Sequence, residues 1–337
     1  MQKTDFYNGM TLKNEIFNVS PSNFESLTLD IFRFQYAHNL IYKAYCDALH
    51  TNIDSIHSVE HIPFLPIQFF KSKEVISSSF IPETIFESSG TTGSINSKHL
   101  IKDLSIYEEC FMSTFKKFYG NPNEICIIGL LPSYLERKNS SLVYMVDYLI
   151  KESNHPSSGF YLYNYEKLHA TLMENEKNGQ PTLLIGVSYA LLDFSEQYPM
   201  QLKSTIVMET GGMKGRSKEI SKQALHEILI NNLGASNIHS EYGMTELLSQ
   251  AYSIKNGVFN CPPWMKILLR AEDNPLEILG HNNNPLIGAV NVIDLANVYS
   301  CSFIATDDMG KLYPDGSFEI LGRLENADIR GCGLMVI

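Results

Sequence analysis

The stretch Ser88-Ser89-Gly90-Thr91-Thr92-Gly93-Ser94, with Lys98 and His99 just beyond it, collects the donors that a polyphosphate needs. Glycines let backbone amides approach an anion, Ser and Thr add hydroxyls, and Lys98 adds a point charge. The alternative is a surface Ser/Thr/Gly loop without a ligand. A second cluster is Glu241-Tyr242-Gly243-Met244-Thr245-Glu246. There a Tyr can stack on a base, a Gly lets the chain pass close to it, and a carboxylate can hold Mg²⁺ against phosphates. Taken alone it is also an ordinary strand-to-loop turn. The third is Thr306-Asp307-Asp308, followed by Pro314-Asp315-Gly316 and Leu321-Gly322-Arg323. A carboxylate at a strand end suits two ribose hydroxyls and an Arg suits phosphate, while the Pro-Asp-Gly turn marks a β-hairpin in either case.

These residues need elements to position them, and helix and strand signals alternate along the chain. Capping boxes at Ser22-Asn23-Phe24-Glu25 and Ser105-Ile106-Tyr107-Glu108 predict an amphipathic helix running to about Leu49 and another that Gly120 stops. Strand-like TIFE precedes the hydroxyl-rich loop. A continuous apolar strand covers Ile125 to Leu131, and a helix follows from about Ser140 to Ile150. A strand from Thr182 to Val187 leads to a helix capped at Ser188. Another strand from Ser204 to Glu209 leads to a helix from Ser217 to Leu233, closed by Gly234. Uninterrupted apolar strands between amphipathic helices indicate a sheet covered on both faces, hence an α/β fold. From about Asn256 short β-like pieces dominate, so the expected division is an α/β body over 1–255 and a β-rich subdomain over 256–337.

Composition narrows the function classes. The 337 residues carry 26 Lys+Arg against 37 Asp+Glu, a net charge of −11, which disfavours non-specific nucleic-acid binding. No apolar run approaches a membrane span, and the N-terminal residues lack the apolar core of a signal peptide, so a cytoplasmic protein is expected. Cys46, Cys110, Cys126, Cys261, Cys301 and Cys332 form no CxxC pair, and neither structural zinc nor a disulfide framework is expected. His57-Ser58-Val59-Glu60-His61 matches the string of inverted zinc peptidases, but Pro63 denies it the long helix that this chemistry needs. No Gly-Lys-Ser/Thr string, GxGxxG or GxSxG occurs, which disfavours P-loop NTPases, dinucleotide dehydrogenases and α/β-hydrolases.

In order and spacing, SSGTTG with Lys98, then YGMTE, then TDD and Gly322-Arg323, the chain resembles the adenylate-forming superfamily of acyl-CoA synthetases, adenylation domains and luciferases. The resemblance runs from about residue 80 to the end. IPFLPIQFFK and GRLENADIRGC resemble its LuxE-like acyl-protein synthetase branch. It implies the layered adenylate-forming fold and ATP-dependent activation of a carboxylic acid, with a fatty acid expected. It implies that the loop around Ser88, Ser89, Gly90, Thr91, Thr92 and Gly93 holds the β- and γ-phosphates with Lys98. Glu246, helped by Thr92 or Thr245, then positions Mg²⁺. Tyr242 stacks on adenine between Glu241 and Gly243, and Asp308 binds ribose with Arg323 nearby. Met208-Glu209-Thr210-Gly211-Gly212-Met213 resembles the segment lining the adenine and acyl pocket, where Gly211 and Gly212 fall.

Two departures stand out. The superfamily's ribose motif reads Thr-Gly-Asp, whereas Asp307 replaces the Gly here. Superfamily members also continue into a mobile C-terminal domain carrying a catalytic Lys, whereas this sequence ends at Ile337, shortly after Arg323. The LuxE resemblance implies transfer of the acyl group to a Cys near the C-terminus, which matches Cys332. Its flanking Gly331 and Gly333 leave the sulfur accessible, and Arg330 favours the thiolate. Cys301 is the second candidate. Lys98 and Cys332 are thus the expected catalytic residues, and an acyl reductase or another acyl-acceptor protein is the expected partner. Two alternatives stay open: an adenylating ligase serving CoA, a carrier protein or a sugar amine, and a non-catalytic nucleotide-binding subunit.

Overall fold

The structure is a computed structural model that describes residues 9–88, 95–131, 139–162, 164–211, 220–280 and 283–324. Its contacts gather into two compact units, one of residues 1–107, 245–249 and 260–337, the other of residues 108–244 and 250–259. This differs from the division expected at residue 255, because the β-rich C-terminal stretch gathers with the first hundred residues.

The first unit starts with α1 (Gly9–Phe17), α2 (Phe24–His38), α3 (Leu40–Ala48), β1 (Leu65–Pro66), α4 (Phe69–Ser72), β2 (Thr84–Glu87) and β3 (Lys98–Ile101). Helix α5 (Leu104–Tyr119) leads into the second unit. That unit holds β4 (Cys126–Leu130), α6 (Ser141–Ser153), β5 (Gly159–Phe160), α7 (Tyr165–Asn178), β6 (Thr182–Val187), α8 (Ser188–Gln197), β7 (Thr205–Thr210), α9 (Lys222–Leu233), β8 (Ile238–Tyr242) and β9 (Ala251–Ser253). The chain then returns to the first unit as β10 (Met265–Arg270), β11 (Leu286–Asp294), β12 (Phe303–Leu312) and β13 (Phe318–Arg323).

In the second unit the sheet order is β5-β4-β6-β7-β8-β9, parallel from β5 to β8 and closed by antiparallel β9. Every residue of β4 is buried, as a strand covered on both faces requires. The helices bury residues at helical spacing, such as Leu225, Leu229 and Leu233 of α9, against a core that includes Ile128, Leu184 and Val207. Gly234, at φ +62°, ends α9 in the left-handed region that side chains avoid.

In the first unit β10, β11 and β12 form an antiparallel sheet, with β13 antiparallel and β1 parallel to β12. Strands β2 and β3 form a separate hairpin.

Several local expectations change. The helix expected to run to Leu49 breaks at Asn39, whose extended backbone lets its side chain cap Tyr42 N–H at 2.9 Å and donate to Ser300 O at 2.9 Å. Ser22 does not cap α2: the N-cap position is Asn23, whose Oδ1 accepts from Ser20 N–H at 2.7 Å. Ser105 is likewise not a cap, because its N–H and hydroxyl both donate to Asp103, at 3.0 and 2.5 Å. Ser188 is the first residue of α8, and its hydroxyl donates to Gly211 O at 2.8 Å. The His57–His61 string contains a single 3₁₀ turn, Val59–His61.

Candidate functional site

In the first unit the β2–β3 hairpin flanks the stretch expected to hold phosphates. Ser88 N–H donates to Ser97 O at 3.0 Å and Ser97 N–H to Ser88 Oγ at 2.9 Å, closing the neck of the loop. Lys98, opposite Glu87 in register, is exposed, with Nζ 4.0 Å from Glu87 Oε1. Ser89, Gly90, Thr91, Thr92 and Gly93 lie outside the described residues, as do Gly212 and Cys332. Next to Lys98, His99 is buried. Burial lowers its pKa to about 4, so the ring is neutral and Nδ1–H donates to Thr245 O at 2.8 Å.

That bond ties the hairpin to residues 245–249, an irregular stretch that is largely buried. The Glu246 side chain lies in it, and Asn297 Nδ2 donates to Glu246 O at 2.8 Å. Leu248 N–H and Ser249 N–H both donate to Asp294 Oδ2 at 2.9 Å, and Ser249 Oγ–H donates to Asp294 Oδ1 at 2.6 Å. On β12, Asp307 is buried and accepts from Gln68 Nε2 at 2.5 Å and from Arg323 at 3.1 Å. Asp308 is half-buried and directly opposite Arg323 in the β12–β13 register. The two Asp residues thus diverge: Asp307 is bonded to Gln68 and Arg323, and Asp308 is the more exposed.

In the second unit two motifs end neighbouring parallel strands. Glu209-Thr210-Gly211 closes β7 and Glu241-Tyr242-Gly243 closes β8, with Thr210 opposite Glu241. Carboxyl ends of strands are where open α/β sheets place ligands. Glu209 is buried. Its carboxylate lies 2.8 Å from Lys222 Nζ and 3.5 Å from His226 Nε2, and accepts from Ser188 Oγ at 3.3 Å. Burial works against its charge, but His226 and Lys222 outweigh it and hold its pKa down at about 2. Glu241, also buried, accepts from Thr210 Oγ1 at 2.5 Å, and burial, reinforced by the charge of Glu209, lifts its pKa to about 7. A Cβ on Gly243 would meet the Glu241 carboxyl oxygen, so a larger residue there requires that carboxyl to shift. Tyr242 packs beside Phe259, ring centroids 5.9 Å apart, and Lys222 Nζ sits 4.8 Å over the same Phe259 ring.

The sequence pointed to Lys98, Glu246, Glu241, Tyr242, Asp308 and Arg323, included His99 and Glu209 only as members of their motifs, and assigned no role to Lys222, His226 or Asp294. A polar residue inside or ending an apolar strand was the available signal for Glu209 and Asp294. Of the thiols, Cys46 and Cys261 are pushed up to about 12 by burial, and burial raises Cys126 and Cys301 as well. Cys301 is therefore a protonated core thiol rather than a nucleophile.

The fold recurs in solved adenylate-forming ligases. The chain aligns with an open conformation of 2-hydroxyisobutyryl-CoA ligase in complex with 2-HIB-AMP and CoA, with a TM-score of 0.66 and 10% identity over 97% of this chain and 76% of that one. It aligns with ATP-bound MatB from Rhodopseudomonas palustris at TM-score 0.52 and 16% identity, over 73% of this chain and 49% of that one. For the luciferase-like enzyme of the mealworm Zophobas morio the TM-score is 0.51 at 18% identity, over 74% and 60%. The chain thus spans about half to three-fifths of the latter two. The fold is that of the adenylate-forming ligases.

Within that class, the acyl-protein synthetase family LuxE matches residues 15–337, and the chain belongs to it. It is also 25% identical to the long-chain-fatty-acid–luciferin-component ligase of Aliivibrio fischeri, over 92% of this chain and 86% of that protein. The chain is an enzyme of acyl activation and transfer. Among the described residues no helix is long and apolar enough to cross a membrane.

Proposed function

We propose that the protein activates a long-chain fatty acid with ATP and Mg²⁺ and transfers the acyl group to a thiol of its own, Cys332. The family match over residues 15–337 is the observation that carries this reading. In the first half-reaction a carboxylate oxygen attacks the α-phosphorus of ATP and pyrophosphate leaves, giving acyl-adenylate. In the second, the thiolate attacks the acyl carbon, a thioester forms and AMP leaves.

Lys98 and the Ser88–Gly93 loop neutralise the β- and γ-phosphates, and Arg323 and Asp308 hold the ribose side. Tyr242 stacks on the base, with Gly211, Gly212 and Gly243 leaving room for it. Hard oxygen donors suit Mg²⁺, and Glu246 with the hydroxyl of Thr245 or Thr92 would hold it. Among the described residues no cluster of three or more His, Cys, Asp or Glu could hold a metal. A single carboxylate completed by phosphate oxygens and water is the usual Mg²⁺ arrangement. The ion supplies charge stabilisation to the departing pyrophosphate. The burial of Cys46, Cys110, Cys126 and Cys301, and the raised pKa of half-buried Cys261, support a thiol outside these five as acceptor. An acyl reductase or other acceptor protein would then discharge the thioester.

Intact-protein mass spectrometry after incubation with ATP, Mg²⁺ and a panel of carboxylic acids tests this. A hydroxylamine-labile gain equal to one fatty acyl group, absent in Cys332→Ala, is expected. Carboxylate-dependent pyrophosphate exchange without any adduct would instead assign the acyl group to an external acceptor. ATP binding with no exchange would make the chain a nucleotide-binding subunit.

A further inference from the structure

Residues 245–249 have no regular secondary structure, yet Glu246, Leu247, Leu248 and Ser249 are all buried. A buried irregular segment must find partners for its backbone among side chains. Three polar residues supply them, each at most 1% exposed: His99 from β3, Asp294 at the end of β11 and Asn297 just after it. His99 donates to the carbonyl of Thr245, Asn297 donates to the carbonyl of Glu246, and Asp294 accepts from the amides of Leu248 and Ser249. Asp294 also accepts from Ser249 Oγ, itself the acceptor for Trp264 Nε1 at 2.9 Å.

Apolar packing alone would leave the peptide planes of this stretch free to rotate. Fixing the carbonyls of two successive residues and the amides just after them sets the orientation of the Thr245 and Glu246 side chains. The arrangement carries a cost in the first unit: Asn297 Oδ1 is buried without a hydrogen-bond partner. An orphaned buried acceptor is costly, and an apolar residue of similar size would remove it only by depriving the Glu246 carbonyl of this donor. The Asn at this position accepts one orphaned oxygen and in return fixes the Glu246 carbonyl.

We propose that His99, Asp294 and Asn297 are positioning residues that aim Glu246 and Thr245 at Mg²⁺. The inference rests on the reading of Glu246 as the metal's carboxylate. Mg²⁺ demands near-ideal octahedral geometry, so a small misplacement of its carboxylate weakens it sharply. These three residues act through the backbone and touch no reactant.

The test is the Mg²⁺ concentration that half-saturates carboxylate-dependent pyrophosphate exchange in the full chain, measured beside thermal stability. Asn297→Leu removes the donor together with the orphaned acceptor, and His99→Leu removes the other carbonyl's donor. Each is expected to raise the half-saturating Mg²⁺ roughly ten-fold or more, and excess Mg²⁺ is expected to restore most of the rate. His99→Asn, which keeps an N–H near the Nδ1 position, is expected to return the Mg²⁺ requirement towards wild type. A purely structural role would lower the melting temperature and the active fraction while leaving the half-saturating Mg²⁺ unchanged, and that result overturns the inference. Glu246→Gln separates the layers. If it shifts the Mg²⁺ requirement while the Asn297 and His99 variants do not, the positioning role fails and the metal reading stands. If it shifts nothing, both fall.

Discussion

At Glu209 and Glu241 two buried carboxyls on neighbouring strands are pushed in opposite directions, to about 2 and about 7. Glu209 keeps its charge because Lys222 and His226 face it from α9. Glu241 is near its midpoint at neutral pH because burial and the charge of Glu209 oppose ionisation while Thr210 supplies one hydrogen bond. The linkage signs follow. Glu209, with a lowered folded pKa, contributes stability above the ordinary carboxylate range that is lost as pH falls from about 4.5 towards 2. Glu241, with a raised one, is fully accommodated below about 4.5, and its contribution is lost as pH rises to about 7. Its slope in that window reaches up to about 1.4 kcal/mol per pH unit. Buried His99 and His239, whose pKa values are lowered, add stability that rises with pH across the same window. The reading is therefore the difference: the urea midpoint of Glu241→Gln, which mimics the neutral acid, is expected to gain on that of the wild type from pH 5 to pH 7. Equal slopes in both proteins would show that Glu241 ionises without penalty. The sequence made Glu241 visible through its motif neighbours. It hid the opposed titrations, because Lys222, His226 and Thr210 reach the pair from other elements and no local pattern announces that meeting.

The elements were legible wherever one local signal decided them. The residues of TIFE are those of β2, Ser140 caps α6 through Val143 N–H, and Gly234 closes α9. Where tertiary partners competed with the local signal, the reading failed. Apolar periodicity runs on through Asn39, and only the Ser300 carbonyl, far along the chain, makes a break there favourable. The same competition separates two substitutions. Ser22→Ala would cost about 1 kcal/mol if Ser22 were the cap of α2. Since its hydroxyl meets only Ser20 Oγ at an exposed site, 2.9 Å away, a change within about 0.5 kcal/mol is expected. Asn39→Ala leaves the buried Ser300 carbonyl without this donor and removes the cap of α3, so a loss of about 1–3 kcal/mol is expected. Chemical denaturation of both variants ranks them, and the reverse order would restore the uninterrupted helix.

At the scale of the chain, the β-rich C-terminal stretch was visible in composition, but its bond to the first hundred residues was not. Leu65 and Pro66 pair in parallel with Ile304 and Ala305. Gln35, fully buried, donates to the carbonyls of Asn297 and Val298 at 2.9 Å and accepts from Ser302 N–H at 2.9 Å. Parallel pairing and long-range side-chain bonds are set by tertiary contact, so the local sequence carries no trace of them. A chain cut after residue 255 would strand these partners together with the amides that Asp294 holds, leaving buried donors and acceptors unpaired at a cost of about 1–3 kcal/mol each. Residues 104–259 keep all six strands of the β5-β4-β6-β7-β8-β9 sheet and helices α5 to α9, and of the bonds above they lose only those of residues 245–249. Limited proteolysis of the 1–255 chain is expected to erode its N-terminal segment and stop near residue 104. The 104–259 fragment is expected to melt cooperatively by circular dichroism. A 1–255 chain that resists digestion from its first helix onward would instead support the division at residue 255, and would mean that β1, Gln35 and Asn39 find sufficient partners without the C-terminal strands.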